Sequence, residues 1–286
     1  MRRDDWSELP EEVRAAVQAW AGPIRKTVPA GEGQSCDTAL TLHRDGMPPV
    51  FLKGVRGVSR EMRWLRNEVE SAGLVAGIGP AVLFHHDVGD WFVVAFEYLE
   101  GRPAKLAPGS PDLSVVATAL GRLGAIRAPE LRSLGDRWKA RWWRGLAGEL
   151  RGRDPGLLEA WEDKAPGLVA GDSLVHTDLH EDQFVLDGNG GVRVVDWGWP
   201  ASGAAWVDPA FLVIRLVGAG HHPADAESWA RSHTCWGDAS SESVTAFAVY
   251  VAGLWSAKAT EFLARTARGY ADWRLGRTRE RSGRFY

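Results

Sequence analysis

Val175-His176-Thr177-Asp178-Leu179-His180-Glu181-Asp182-Gln183-Phe184, continuing to Val195-Asp196-Trp197-Gly198, is the stretch on which the reading of this chain turns. Asp178 follows a short apolar run, the amide residue Gln183 comes five positions later, and Asp196 closes a second apolar run. Between them, Phe184-Val185-Leu186 and Val192-Arg193-Val194-Val195 flank Asp187-Gly188-Asn189-Gly190-Gly191, a composition that predicts a loop followed by a hairpin. Phosphoryl transfer to a hydroxyl needs a carboxylate to orient and deprotonate the acceptor, and oxygen ligands to hold magnesium on the nucleotide phosphates. Asp178 is the candidate base, and Gln183 and Asp196, at either end of the hairpin, are the candidate metal ligands. An isolated loop aspartate is ordinarily a solvated turn residue, so the weight rests on the ordered set. His176 reads as a hydrogen-bonding strut for the loop.

Upstream, Glu11 to Ala21 reads as a short helix, and Ile24 to Leu52 alternates with turns at Gly31-Glu32-Gly33 and Arg44-Asp45-Gly46. Thr38 to Leu42 and Pro49 to Lys53 alternate with period two, predicting a hairpin that ends at Lys53. Lysine is rare here beside arginine, which makes Lys53 informative. Ser59 to Ala72, with Met62, Leu65 and Val69 on one face, predicts a helix that also carries Glu68. Val82 to Phe96 returns to strand character around an Asp87 to Asp90 turn. Composition shifts at Glu97-Tyr98-Leu99-Glu100-Gly101-Arg102-Pro103, where we place a boundary between an N-terminal lobe (1–97) and a mainly helical C-terminal lobe (98–286). Beyond it, helices are expected from Ser110-Pro111 through Leu123, over Pro209 to Val217, over Pro223 to Ser232, and as one long element from Ser240 to Ala267. Asp208, before Pro209, reads as a cap for the helix that follows.

The order His-Thr-Asp, Gln, Asp-Trp-Gly follows the H-x-D-x-x-x-x-N and D-x-G pattern of kinase-like enzymes. With Phe51-Leu52-Lys53, Arg66-Asn67-Glu68, the strand from Gly89 to Glu97, and Gly203 to Ala210, the chain resembles the aminoglycoside phosphotransferase and choline kinase-like family along nearly its whole length. The resemblance implies an α+β, two-lobed protein-kinase-like fold, with an N-terminal antiparallel sheet and one inserted helix. It implies ATP and Mg2+ as cofactors. It also implies that Lys53 contacts the α- and β-phosphates, that Glu68 pairs with Lys53, and that Asp178 is the base while Gln183 and Asp196 hold magnesium. Residues 97–101, including Glu97 and Leu99, would receive the adenine through the backbone, and Gly31 to Ser35, with Gly33 between them, would cover the phosphates. The chain departs from the family's usual His-Gly-Asp and Asn at Thr177 and Gln183. Glutamine keeps an amide oxygen able to ligate magnesium, so the second departure bears on metal geometry more than on the chemistry.

The 286 residues are 45% hydrophobic and 25% charged, an ordinary globular composition, and the net charge of −3 provides no basic field for nucleic acid or an anionic membrane. Cys36 and Cys235, far apart, indicate neither a disulfide framework nor a zinc site, and a cytoplasmic setting is expected. The N-terminal residues lack the apolar core of a secretory signal, and Val244 to Ala257 is too short and too interrupted to span a bilayer. Trp138, Trp142 and Trp143 read as packing residues. Arg265, Arg268, Arg274, Arg277, Arg279, Arg281 and Arg284 read as a solvated helix face, poorly suited to a polycationic substrate if near the site. The expected function is therefore transfer of the ATP γ-phosphate to a hydroxyl of a small molecule, with the acceptor and the oligomeric state left open. Peptide Ser or Thr phosphorylation is the rival within the class, and a non-catalytic nucleotide-binding module is the rival outside it.

Overall fold

The computed structural model describes residues 4–31, 36–146, 148, 152–237 and 239–282. The chain opens with α1 (Glu11–Ala21), β1 (Ile24–Pro29), β2 (Thr38–Arg44), β3 (Met47–Arg56), α2 (Arg60–Ser71), β4 (Val82–Val88), β5 (Trp91–Glu97) and the short β6 (Arg102–Pro103). Next come α3 (Asp112–Gly124), α4 (Leu134–Arg137), α5 (Pro155–Leu168), β7 (Ser173–Val175), β8 (Phe184–Leu186), β9 (Val192–Val194) and β10 (Ala201–Gly203). Helices α6 (Val207–Gly218), α7 (Pro223–Arg231), α8 (Ser241–Lys258) and α9 (Glu261–Ser282) complete it. No helix among the described residues is long and apolar enough to cross a membrane.

The chain divides into two compact units, Met1–Pro103 with Asp182–Pro200, and Ala104–Glu181 with Ala201–Tyr286. This differs from a single cut after Glu97. The hairpin β8–β9 makes its pairings with the first unit: β6 is antiparallel to β8, and the Val194 N–H donates to the Ile78 carbonyl at 2.9 Å. Gly101 sits so close to this hairpin that a Cβ would lie 2.5 Å from the Leu186 carbonyl oxygen, which reserves the position for glycine.

In the first unit, the alternating pattern becomes an antiparallel sheet in the order β1-β2-β3-β5-β4. Side chains alternate across a strand, so each face collects every second residue. Leu40, Leu42, Val50, Leu52 and Val93 cluster with Val13 and Val17 of α1, while Ala39, Val55, Phe92, Val94 and Phe96 cluster with Leu65 of α2. Lys53 shares the parity of Val55 and therefore faces α2, opposite Ala39 on β2 and Val94 on β5. Helix α2 is started by Ser59, whose hydroxyl accepts the Met62 N–H at 3.0 Å.

In the second unit, β7 pairs antiparallel with β10, and the helices pack around an aromatic core in which Trp138 stacks on Tyr250 with ring centroids 4.1 Å apart. Trp143 donates its indole N–H to the Val249 carbonyl at 3.0 Å, so these tryptophans are packing residues as expected. The single helix expected over 240–267 is two. Ala259 is extended and ends α8, and α9 restarts after Thr260, which lets the two helices pack on each other. The arginine-rich end is also not a uniformly solvated face. Arg274 is 3% exposed, donates to Glu227 at 2.7 Å and to the Thr245 hydroxyl, and Arg268 is buried with its guanidinium on Ser256 and Glu261. Burial alone would raise the Glu227 pKa, but the Arg274 guanidinium, helped by Arg231 and Tyr270, holds it below the usual carboxylate range. The side chains of Arg277, Arg279, Arg281 and Arg284 lie outside the described residues.

Candidate active site

The first unit brings three of the expected residues together. Lys53 Nζ lies 3.0 and 2.9 Å from the two carboxylate oxygens of Glu68 and also contacts Asp196 Oδ1. Strand parity aims Lys53 at α2, and α2 turns Glu68 toward it one helical turn beyond the buried Leu65. Burial by itself would lower the Lys53 pKa, but the Asp196 and Glu68 carboxylates outweigh it and hold the amine above its ordinary value. Glu68 is pushed up to about 7, first by desolvation and in part by the Asp196 charge, against the pull of Lys53. Asp196 has φ 64°, a left-handed conformation that aspartate tolerates better than most residues, at the turn after β9.

These three side chains line a cavity of about 440 Å³ in this unit, together with Gly31, Tyr98 and Leu99. The Glu97 carboxylate is drawn away to Arg193 at 2.7 Å and to the Ala81 N–H at 3.2 Å, and the Glu97 N–H donates to the Ala81 carbonyl at 2.8 Å. Of the expected phosphate cover, Gly31 lines the cavity, whereas Gly33 and Ser35 lie outside the described residues. Gln183 is buried just before β8, and its carbonyl accepts the Val195 N–H at 3.0 Å, tying it to the strand that leads into Asp196. Two hard oxygen donors, one carboxylate and one amide, suit magnesium, which keeps waters and phosphate oxygens for the rest of its shell. Among the described residues no group of three or more His, Cys, Asp or Glu side chains is placed to hold a metal ion.

Asp178 belongs to the second unit. Its side chain is 53% exposed, while its N–H donates to His176 Nδ1 at 3.4 Å, so His176, 1% exposed, is the strut expected of it. Asp208 does something the sequence reading missed. Instead of capping α6, its buried carboxylate accepts the backbone N–H groups of His176 and Thr177 at 2.7 and 2.9 Å. Arg215, also on α6, lies 3.5 Å from Asp178 Oδ1. The available signal was compositional. In the apolar run Phe211-Leu212-Val213-Ile214-Arg215-Leu216, preceded by Asp208, a charge must find a partner to be buried.

This fold, with an antiparallel sheet and helix in one unit and a mainly helical second unit, is the protein-kinase-like α+β fold. An aminoglycoside phosphotransferase of Streptomyces rimosus, solved with ADP and streptomycin, matches at a TM-score of 0.61 with 18% identity, over 86% of this chain and 99% of that one. The choline kinase LicA of Streptococcus pneumoniae matches at 0.60 with 12% identity, over 94% and 96%. A thermostable variant of aminoglycoside phosphotransferase APH(4)-Ia, in complex with AMP-PNP and hygromycin B, matches at 0.61 with 14% identity, over 93% and 98%. No protein-family model matches the chain, and no curated protein matches its sequence. At these identities the likeness establishes the fold.

Proposed function

We propose that the chain is an ATP- and magnesium-dependent phosphotransferase whose acceptor is a hydroxyl of a small molecule. The observation that carries the proposal is the buried Lys53, held at once by Glu68 and Asp196 in the lining of a nucleotide-sized cavity. In this reading Lys53 meets the α- and β-phosphates, Glu68 keeps its amine in place, and the backbone of residues 97–101 receives the base. Asp196 and Gln183 hold magnesium, which when bound offsets phosphate charge. Asp178 accepts the proton of the attacking hydroxyl, and Asp208 and His176 fix the loop that presents it. Crystallisation of similarly folded chains with AMP-PNP or ADP supports an adenine nucleotide as donor, and a cytoplasmic setting supplies one.

The test is transfer of labelled phosphate from ATP to a panel of aminoglycosides, other hydroxylated metabolites and Ser/Thr peptides, with and without magnesium. Magnesium-dependent transfer to a small molecule is expected. Asp178→Asn should lower it by about 10²- to 10⁴-fold while leaving nucleotide binding nearly intact. ATP binding without turnover toward any acceptor or water would favour a non-catalytic nucleotide module, and transfer confined to peptides would favour the protein-kinase alternative.

A further inference from the structure

We propose that Asn67 is a positioning residue for phosphate transfer: from α2 it holds the turn after β9 and so keeps the Asp196 carboxylate where a magnesium–nucleotide needs it. Asn67 has this role only if Asp196 is a magnesium ligand, so the inference rests on the function proposed above. Asp196 has φ 64°, and a non-glycine residue stays in that region only where its surroundings fix the backbone. On the near side, the Val195 N–H is bonded to the Gln183 carbonyl at 3.0 Å. On the far side two anchors follow in sequence. The buried Trp197 donates its indole N–H to the Val194 carbonyl at 2.9 Å, and the Gly198 carbonyl accepts from Asn67 Nδ2 at 2.9 Å.

The Gly198 bond ties the turn to a different element. Helix α2 therefore meets this turn twice, through Glu68 and Lys53 to the Asp196 carboxylate, and through Asn67 to the backbone two residues further on. The approach is close. A Cβ on Gly198 would lie 3.1 Å from the Cβ of Trp64, which shares a helix face with Asn67, and the Trp64 and Trp199 ring centroids are 4.8 Å apart. The indole pair presses the turn onto the helix, but apolar contact is non-directional, and it is the Asn67 amide that orients the peptide. Lys53 holds the carboxylate and not the backbone behind it. Without the Asn67 donor the backbone after Asp196 gains room to leave its left-handed conformation, and the carboxylate moves with it. Magnesium demands near-octahedral ligation, so its affinity is sensitive to such a displacement. Asn67 is not among the residues lining the nucleotide cavity, so its influence on a ligand passes through Asp196.

The affinity of the whole chain for AMP-PNP, measured by titration with and without magnesium, tests this without turnover. Magnesium should tighten binding to wild type, and Asp196→Ala should abolish most of that gain. Asn67→Ala should cut the gain by about two- to tenfold, the range of one net hydrogen bond, and leave metal-free affinity unchanged. Asn67→Asp, equal in shape but without the donor, should also cut it, although an added negative charge by itself would strengthen magnesium binding. A merely structural contact would lower stability in denaturant and leave the magnesium gain of the folded chain intact. No magnesium gain in wild type, or a gain that survives Asp196→Ala, would remove the reading of Asp196 as a metal ligand and this inference with it. A gain lost in Asp196→Ala but kept in both Asn67 variants would overturn the Asn67 proposal alone. So would failure of both Asn67 variants to fold, which would make the residue a structural one.

Discussion

Asp208 Oδ1 accepts the backbone N–H of Thr177 at 2.9 Å, and its other oxygen takes the N–H of His176, so one buried carboxylate holds two consecutive peptide groups just before Asp178. Desolvation pushes the Asp208 pKa up, and His176 and the two N–H donors act in the opposite direction. Asp208→Asn keeps one carbonyl acceptor but turns an amide N–H₂ toward the second peptide N–H. We expect a loss of about 1–3 kcal/mol in stability together with reduced phosphate transfer at unchanged nucleotide affinity. Denaturant unfolding and nucleotide titration check the two halves, and a variant with native stability and turnover would remove Asp208 from the loop's support.

Thr177 itself is held at φ 71°, where a β-branched residue is strained and glycine is not. Thr177→Gly removes roughly 1–2 kcal/mol of that strain and restores up to about 1 kcal/mol of unfolded-chain entropy, while the N–H to Asp208 remains. The variant should be more stable than wild type, by up to about 1 kcal/mol. A clear loss of stability instead would show that contacts of the threonine side chain outweigh the backbone cost.

How much of this was legible depends on how local the determining interactions are. The sheet and α2 could be read from period-two and period-3.6 patterns, whereas the Lys53–Glu68 pair was expected only from the family resemblance. The hairpin after Gln183 was visible in Asp187 to Gly191, but its membership of the first unit was not, because the Val194–Ile78 and β6–β8 bonds join residues remote in sequence. The break at Ala259 carries neither glycine nor proline and interrupts an apolar pattern that continues on both sides. Asp208 and Arg274 find their partners 31 and 47 residues away, at Thr177 and Glu227, so their burial depends on tertiary packing. Of the site, the structure brings Lys53, Glu68 and Asp196 together, a Lys53–Asp196 contact the sequence did not give, and the supports on α6 emerge only from the fold.

Glu162 on α5 offers a pH-dependent check on the second unit. It is 2% exposed, accepts the Trp142 N–H at 2.8 Å, and is pushed by desolvation from 4.5 to about 6. The folded chain therefore holds this proton more tightly than the unfolded one. The stability linked to it is fully present below about pH 4.5 and lost as pH rises through about 6. Glu162→Gln, neutral throughout and still able to accept from Trp142, should exceed wild type by roughly 1–2 kcal/mol at pH 7.5 and equal it near pH 4.5. Denaturation at both pH values gives the comparison, and an identical difference at the two would contradict the assignment.

Gln183 is where the chain departs from the asparagine usual in the family it resembles, and under the proposed function it is a magnesium ligand. The side chain is buried immediately before β8, and its backbone carbonyl is bonded to Val195 next to Asp196, so the residue is anchored beside the carboxylate it would work with. Magnesium asks for near-octahedral oxygen ligation at about 2.0–2.1 Å and takes most of it from phosphates and water, so a neutral amide oxygen is a supporting ligand. The extra methylene adds one torsion to be frozen, a cost below about 1 kcal/mol and too small to silence the site. Gln183→Asn should retain activity or lower the magnesium requirement. Gln183→Leu, similar in volume but without a donor oxygen, should raise that requirement several-fold while leaving metal-free nucleotide binding intact. Phosphate transfer against free magnesium at saturating ATP, paired with nucleotide titration without metal, separates the two effects. Coincident magnesium curves for Gln183→Leu and wild type would mean that Asp196 and the nucleotide hold the ion without Gln183.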